Sequence, residues 1–181
     1  MNDAFSHLLV LGGARSGKSR FAQGRAEALA GELVYVATAQ AFDEETRERI
    51  VLHRADRGPR WSTVDAPLEL AETITACSSP ETVVLVDCLT LWASNLMLAE
   101  RDMAAATEGL IRAVSVALGP VIMVANEVGL GIVPDNALAR RFRDVAGEIN
   151  QKMAVAADEV VMIFSGLPLV LKAKYERNSS Y

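Results

Sequence analysis

Residues 7–30 read HLLVLGGARSGKSRFAQGRAEALA. A short run of Leu and Val leads without a break into glycines, and a stretch of helix-forming residues follows. Gly12, Gly17, Lys18 and Ser19 satisfy the spacing GxxxxGK[ST]. That spacing has a mechanical basis. Glycines let the backbone curl until its N–H groups converge on phosphate oxygens, the lysine reaches the β and γ phosphates, and the serine hydroxyl ligates Mg²⁺. The following helix adds the positive end of its dipole. A plain glycine turn before a helix is the alternative, but strand, loop and helix in this order are the context the motif requires. Gly12, Gly13, Ala14, Arg15, Ser16, Gly17, Lys18 and Ser19 are therefore candidate phosphate binders.

Four more apolar runs resemble the first: ELVYVATA (32–39), TVVLVDC (82–88), PVIMVANE (120–127) and DEVVMIFSG (158–166). They are rich in Val, Ile and Leu and show little alternation, as strands buried on both faces do. Between them lie helical stretches. In NALARRFRDVAGEINQKMAVAA, Leu138, Phe142, Val145, Ile149 and Met153 recur at steps of three and four, which predicts one core-facing stripe. Strands alternating with helices predict an α/β fold of the P-loop NTPase type: three layers, a mostly parallel central sheet, helices on both faces. Functional loops then sit at the carboxyl ends of the strands.

With 181 residues, 51% of them hydrophobic, a single domain over residues 1–181 is expected, its tail fraying from about residue 173. The net charge of −5 and an aromatic content of 6% argue against a nucleic-acid grip. Cys77 and Cys88 form no CxxC pair, and the N-terminus lacks a signal-peptide pattern. A soluble cytoplasmic protein with no membrane span, acting on small molecules, is the expectation. No NKxD string for a Ras-type guanine site occurs. A small-molecule kinase, a nucleotidyltransferase or a nucleotide-driven switch all remain compatible with the phosphate loop.

Asp87 ends the run VVLVD, where a carboxylate can hold the metal opposite Ser19; capping the next helix is the alternative. The loops ATAQ, with Thr38 and Gln40, and NEVGLGIVP, with Asn126 and Glu127, also close strands. The segment RIVLHRADRGPRW (49–61) carries His53, and the only other histidine is His7. If this segment is helical, Arg49 and Arg57 flank His53 at i−4 and i+4, with Asp56 at i+3. Neighbouring guanidinium groups keep an imidazole neutral and nucleophilic. On composition alone, a charged helix face in solvent is the plainer account.

The strings GGARSGKS, YVATA, HRADRGPRW, VDCLTLWASNL, NEVGLGIVP and ALARRFRDVAGEINQKMAVAADEVV, spanning about residues 8–172, occur in one order. In that order and wording the chain resembles the bifunctional adenosylcobinamide kinase/adenosylcobinamide-phosphate guanylyltransferase family. The resemblance implies two reactions in cobalamin assembly. ATP or GTP phosphorylates the aminopropanol hydroxyl of adenosylcobinamide. GTP then donates GMP to that phosphate, giving adenosylcobinamide-GDP and pyrophosphate.

It implies a GMP-histidine intermediate at His53, while Lys18 of the phosphate loop is catalytic in the kinase step, neutralising the transferring γ-phosphoryl. It also implies nucleotide contacts from Ala37, Thr38, Ala39, Arg54, Ala55, Asp56, Arg57, Asp65 and Asp87. A carboxylate such as Asp65 can accept both N–H donors on guanine's Watson–Crick edge, although Asp is equally a turn former before Pro67. Mg²⁺ held by Ser19 and Asp87, and a homotrimer, complete what is implied. Two departures stand out. Leu52 precedes His53 where some relatives have a second histidine, and Asp87 stands where some have Glu.

Overall fold

The computed structural model describes residues 6–40 and 58–173. Its frame is one seven-stranded sheet in the order β3-β2-β4-β5-β1-β6-β7. The strands are β1 (Leu8–Gly12), β2 (Glu32–Ala37), β3 (Trp61–Asp65), β4 (Thr82–Asp87), β5 (Val121–Asn126), β6 (Glu159–Phe164) and β7 (Leu167–Lys172). All pairings are parallel except β6 with β7. The helices among the described residues are α1 (Lys18–Glu27), α2 (Leu70–Cys77), α3 (Leu89–Leu98), α4 (Met103–Ser115) and α5 (Ala137–Ala156).

Both faces of the sheet are covered, as the unbroken apolar runs predict. Leu8, Val10, Leu33, Leu85, Ile122 and Val124 pack with Ala22 and Ala26 of α1 on one face. Leu9, Leu11, Val36, Val84, Val86 and Met123 pack under α2 to α5 on the other. Alternate residues of each strand serve opposite layers, so a run such as LLVL has no polar position to offer.

The five predicted strands are present, and two more join them. β3 is an edge strand of mixed polarity, WSTVD, paired to β2. β7 is the opposite edge, joined to β6 through Ser165 and Gly166, both at positive φ (51° and 82°). Two consecutive left-handed residues make a type I′ turn, the form that matches strand twist in a two-residue hairpin. The stripe on α5 also differs at its start. Ile149 and Met153 are buried and Phe142 and Val145 pack on the core, but Leu138 is 59% exposed. It lies in the first turn, beyond the edge of the core that the helix covers.

Candidate functional site

The strand register lines up the carboxyl ends of the sheet. Asp65 of β3 pairs with Ala37 of β2, and Ala37 pairs with Asp87 of β4. Gly12 of β1 pairs with Asn126 of β5. At about 4.8 Å per strand, the backbones of Asp65 and Asp87 lie roughly 10 Å apart across β2.

The loop after β1 curls as the glycines predict. Gly17 takes φ 94° at the N-cap of α1, and Arg15 also sits at positive φ (55°). A Cβ on Gly12 would come 2.5 Å from Ser16 Oγ and 3.0 Å from the Ile163 carbonyl, so only glycine fits there. Lys18 Nζ donates to the Gly13 carbonyl at 3.1 Å. Ser16 Oγ is buried and has no hydrogen-bond partner among the described residues. A buried hydroxyl without a partner costs free energy, which a phosphate oxygen accepting its proton would recover. The hairpin turn after β6 clamps the loop from outside, Gly166 N–H donating to the Ser16 carbonyl at 2.8 Å.

A cavity of about 1080 Å³ opens over this loop, lined by Gly17, Lys18, Ser19, Tyr35 and Asp87 among others. It brings together the predicted lysine, serine and carboxylate. The N-cap of the helix after Asp87 is Cys88, with no side-chain cap hydrogen bond. The Cys88 thiol is pushed up to about 11 by burial, with the Asp87 charge adding to the effect and Lys18 opposing it.

Thr38 is wholly buried. Its hydroxyl accepts from Cys88 N–H and donates to the Cys88 carbonyl, both at 2.7 Å, tying the end of β2 to the end of β4. Asn95 of α3, which the sequence reading passed over, donates to the carbonyls of Thr38 (2.8 Å) and Pro67 (3.0 Å). Trp92 Nε1 donates to the Leu68 carbonyl at 2.8 Å. These bonds hold the segment behind Asp65 against the strand ends. Ala37 is buried, Ala39 half-buried and Asp65 exposed, and none of the three lines the cavity. On β5, Asn126 N–H donates to Thr90 Oγ1 (2.6 Å) and its carbonyl accepts from Asn150 (3.1 Å). Glu127 accepts from Gly129 N–H at 2.6 Å. His53, Arg54, Ala55, Asp56 and Arg57 lie outside the described residues.

A mostly parallel sheet whose first strand feeds a GxxxxGKS loop and helix, with a carboxylate on β4 across the cavity, defines a P-loop nucleotide-binding protein. Solved structures share the frame at the level of fold. The flagellar accessory protein FlaH from Methanocaldococcus jannaschii superposes with a TM-score of 0.53 at 14% identity, covering 93% of this chain and 79% of that one. Sequence comparison narrows the class. The profile of the CobU family, "Cobinamide kinase / cobinamide phosphate guanyltransferase", matches residues 8–171, and the chain belongs to that family. It is 42% identical over 168 residues to the bifunctional adenosylcobalamin biosynthesis protein CobP of Pseudomonas aeruginosa, covering 92% of this chain and 97% of the relative. It is 40% identical over 183 residues to the bifunctional adenosylcobalamin biosynthesis protein CobU of Salmonella typhimurium, covering 91% of this chain and 99% of the relative.

Proposed function

We infer that this protein phosphorylates adenosylcobinamide with ATP or GTP, then transfers GMP from GTP to the phosphate it has made. The observation that carries this reading is the cavity in which Lys18, Ser19 and Asp87 meet over the phosphate loop, in a chain of the cobinamide kinase/guanyltransferase family. Loop N–H groups and Ser16 Oγ grip the phosphates, and Lys18 swings from Gly13 to the β and γ oxygens. In the first step the acceptor's hydroxyl oxygen bonds to the γ-phosphorus as the bond to the departing diphosphate breaks. In the second, neutral His53 attacks the α-phosphorus of GTP and pyrophosphate leaves. The acceptor's phosphate then displaces the histidine, giving adenosylcobinamide-GDP.

Ser19 and Asp87 suit Mg²⁺, since both offer hard oxygen donors in one cavity. No cluster of three or more His, Cys, Asp or Glu that could cage a metal occurs among the described residues. When bound, Mg²⁺ would neutralise charge on the transferring phosphoryl group. Asp65 is proposed to read the guanine edge. Ala37, Thr38 and Ala39 belong to this proposal as the strand-end wall beside it, Thr38 from within, because it is wholly buried with its hydroxyl bonded to Cys88, its N–H to the Asp87 carbonyl and its carbonyl to Asn95. Arg54 to Arg57 are proposed to hold the triphosphate near His53. One domain carries both steps in a cytoplasmic homotrimer.

The test is incubation with Mg²⁺ and α-labelled GTP without acceptor. Acid-labile, alkali-stable label on the protein, lost in His53→Ala, is expected. Label that is absent, or unchanged in the variant, overturns the assignment.

A further inference from the structure

A second cavity, of about 340 Å³, borders the phosphate loop, lined by Gly13 to Ser16, Glu127, Leu130 and Met162 to Ser165. It shares Arg15, Ser16 and Ser165 with the larger one, so the two meet along the phosphate loop. Its chemistry differs. Leu130, Met162, Ile163 and Phe164 are apolar, and Glu127 is its acidic side chain among the described residues.

The loop that forms its rim leaves large apolar side chains in solvent. Leu130 and Phe164 of the lining are 75% and 50% exposed, Ile132 and Val133 further along the loop 97% and 58%, and Leu138 in the first turn of α5 59%. This loop is held in shape. Arg143 Nη2 donates to the Gly129 carbonyl (2.8 Å), Arg140 Nη1 donates to the carbonyls of Pro134 (3.0 Å) and Asp135 (2.7 Å), and Glu127 pins Gly129. Several polar bonds are thus spent on a backbone that presents hydrophobic groups to water, beside a phosphate site. Exposed apolar groups gathered within a few residues beside such a place point to a binding surface.

Resting on the function proposed above, we propose that this cavity and rim are the acceptor site. A cobinamide is a broad ring with an apolar, methyl-bearing face and one arm that ends in the reacting hydroxyl. A cavity of about 340 Å³ admits the arm and excludes the ring. The arm enters past Glu127 to the phosphate loop, and the ring lies on Leu130, Ile132, Val133 and Leu138. In the kinase step the hydroxyl proton passes to the Glu127 carboxylate as the oxygen–γ-phosphorus bond forms and the diphosphate leaves with its electron pair. Guanylyl transfer starts from an ionised phosphate and asks nothing of this carboxylate.

Equilibrium dialysis of cobinamide, read by its visible absorbance, tests the site without turnover. Ile132→Glu combined with Leu130→Glu is expected to weaken corrinoid binding roughly tenfold or more, as loss of two apolar contacts implies. Both side chains are exposed, so folding is spared. The KM for GTP should stay at the wild-type value. Glu127→Gln should lower the phosphorylation kcat about 10²- to 10³-fold with cobinamide binding intact, and leave guanylyl transfer to preformed cobinamide phosphate unchanged. A rise in the nucleotide KM in place of the corrinoid constant would make the cavity a nucleoside pocket and overturn the proposal. A changed molecular mass in light scattering with unchanged corrinoid binding would make the rim a self-association surface and overturn it too. Wild-type protein that binds cobinamide without phosphorylating it would overturn the activity and leave the binding surface standing. Wild-type protein that does not bind it overturns both.

Discussion

At Gly12 the space for a side chain is already taken, which makes the residue a sharp probe of the phosphate loop. In Gly12→Ala the new methyl meets Ser16 Oγ at 2.5 Å and the Ile163 carbonyl at 3.0 Å. The hydroxyl can rotate, but the carbonyl belongs to β6 and cannot. Overpacking of this kind costs about 1–3 kcal/mol, and here it distorts the loop. Titration calorimetry should show GTP affinity reduced roughly tenfold or more; unchanged affinity would mean the loop is less tightly braced than its contacts indicate. His7 supplies a second residue-scale prediction. Burial lowers its pKa below the usual 6.5, and Asp158 only partly offsets this. The neutral ring is needed, because Nδ1 accepts from Val121 N–H at 3.3 Å. Between the folded pKa and 6.5 the unfolded chain binds the extra proton, so stability falls as pH drops through that window, an effect that solvent screening of the half-exposed ring keeps small. Urea midpoints at pH 7.5 and 5.5 should differ in the wild type and converge in His7→Asn. The loop glycines were legible in the sequence because backbone geometry alone dictates them. The burial of Thr38 was not, since the direction of its side chain depends on how β2 and β4 register.

Among the elements, those buried on both faces announced themselves and those at the sheet's margins did not. β1, β2, β4, β5 and β6 read as unbroken apolar runs because two helical layers demand them. β3 borders only β2, and WSTVD carries too little hydrophobicity to stand out. β7 contains Pro168, which an edge strand tolerates and a central one does not. Missing β3 also hid the task of Arg60. Its guanidinium donates to the carbonyls of Glu27 (3.2 Å), Leu29 (2.7 Å) and Gly31 (2.7 Å), closing the carboxyl end of α1. Trp61 Nε1 adds a bond to Glu27 Oε1 at 3.1 Å. The end of a helix leaves carbonyls without partners, and a cation there satisfies charge and dipole together. The end of RIVLHRADRGPRW, beyond the Arg54 to Arg57 stretch that the resemblance assigns to nucleotide, thus has a structural task. Arg60→Ala should cost about 1–2 kcal/mol, or roughly 2–8 °C in Tm, with the KM for GTP little changed. A large KM effect with no loss of stability would instead place Arg60 on the nucleotide.

On the scale of the whole molecule, the two margins of the sheet differ in what they leave exposed. The β6–β7 hairpin carries Phe164, Leu167, Leu169, Val170 and Leu171, each at least 50% exposed. Leu169 pairs with Met162 and Val170 with Val161, residues that serve opposite layers of the core, so β7 is apolar on both faces. An edge strand of this character has open backbone groups and no charge along it until Lys172, whose Nζ is turned back onto the carbonyls of Ala154, Val155 and Ala157. Proteins that keep an edge solvent-exposed usually arm it with charge, and this one does not. We propose that a second copy of the chain covers β7, which would give the proposed homotrimer a surface. Charge placed there, as Leu169→Glu with Val170→Lys, should shift sedimentation from the assembled mass toward the monomer. Nucleotide binding should survive, because the clamp from Gly166 to Ser16 is a backbone bond that neither substitution touches. If the variant keeps the wild-type mass, β7 is not the interface; if it dissociates and also loses GTP, the hairpin braces the phosphate loop only when a neighbour holds it in place.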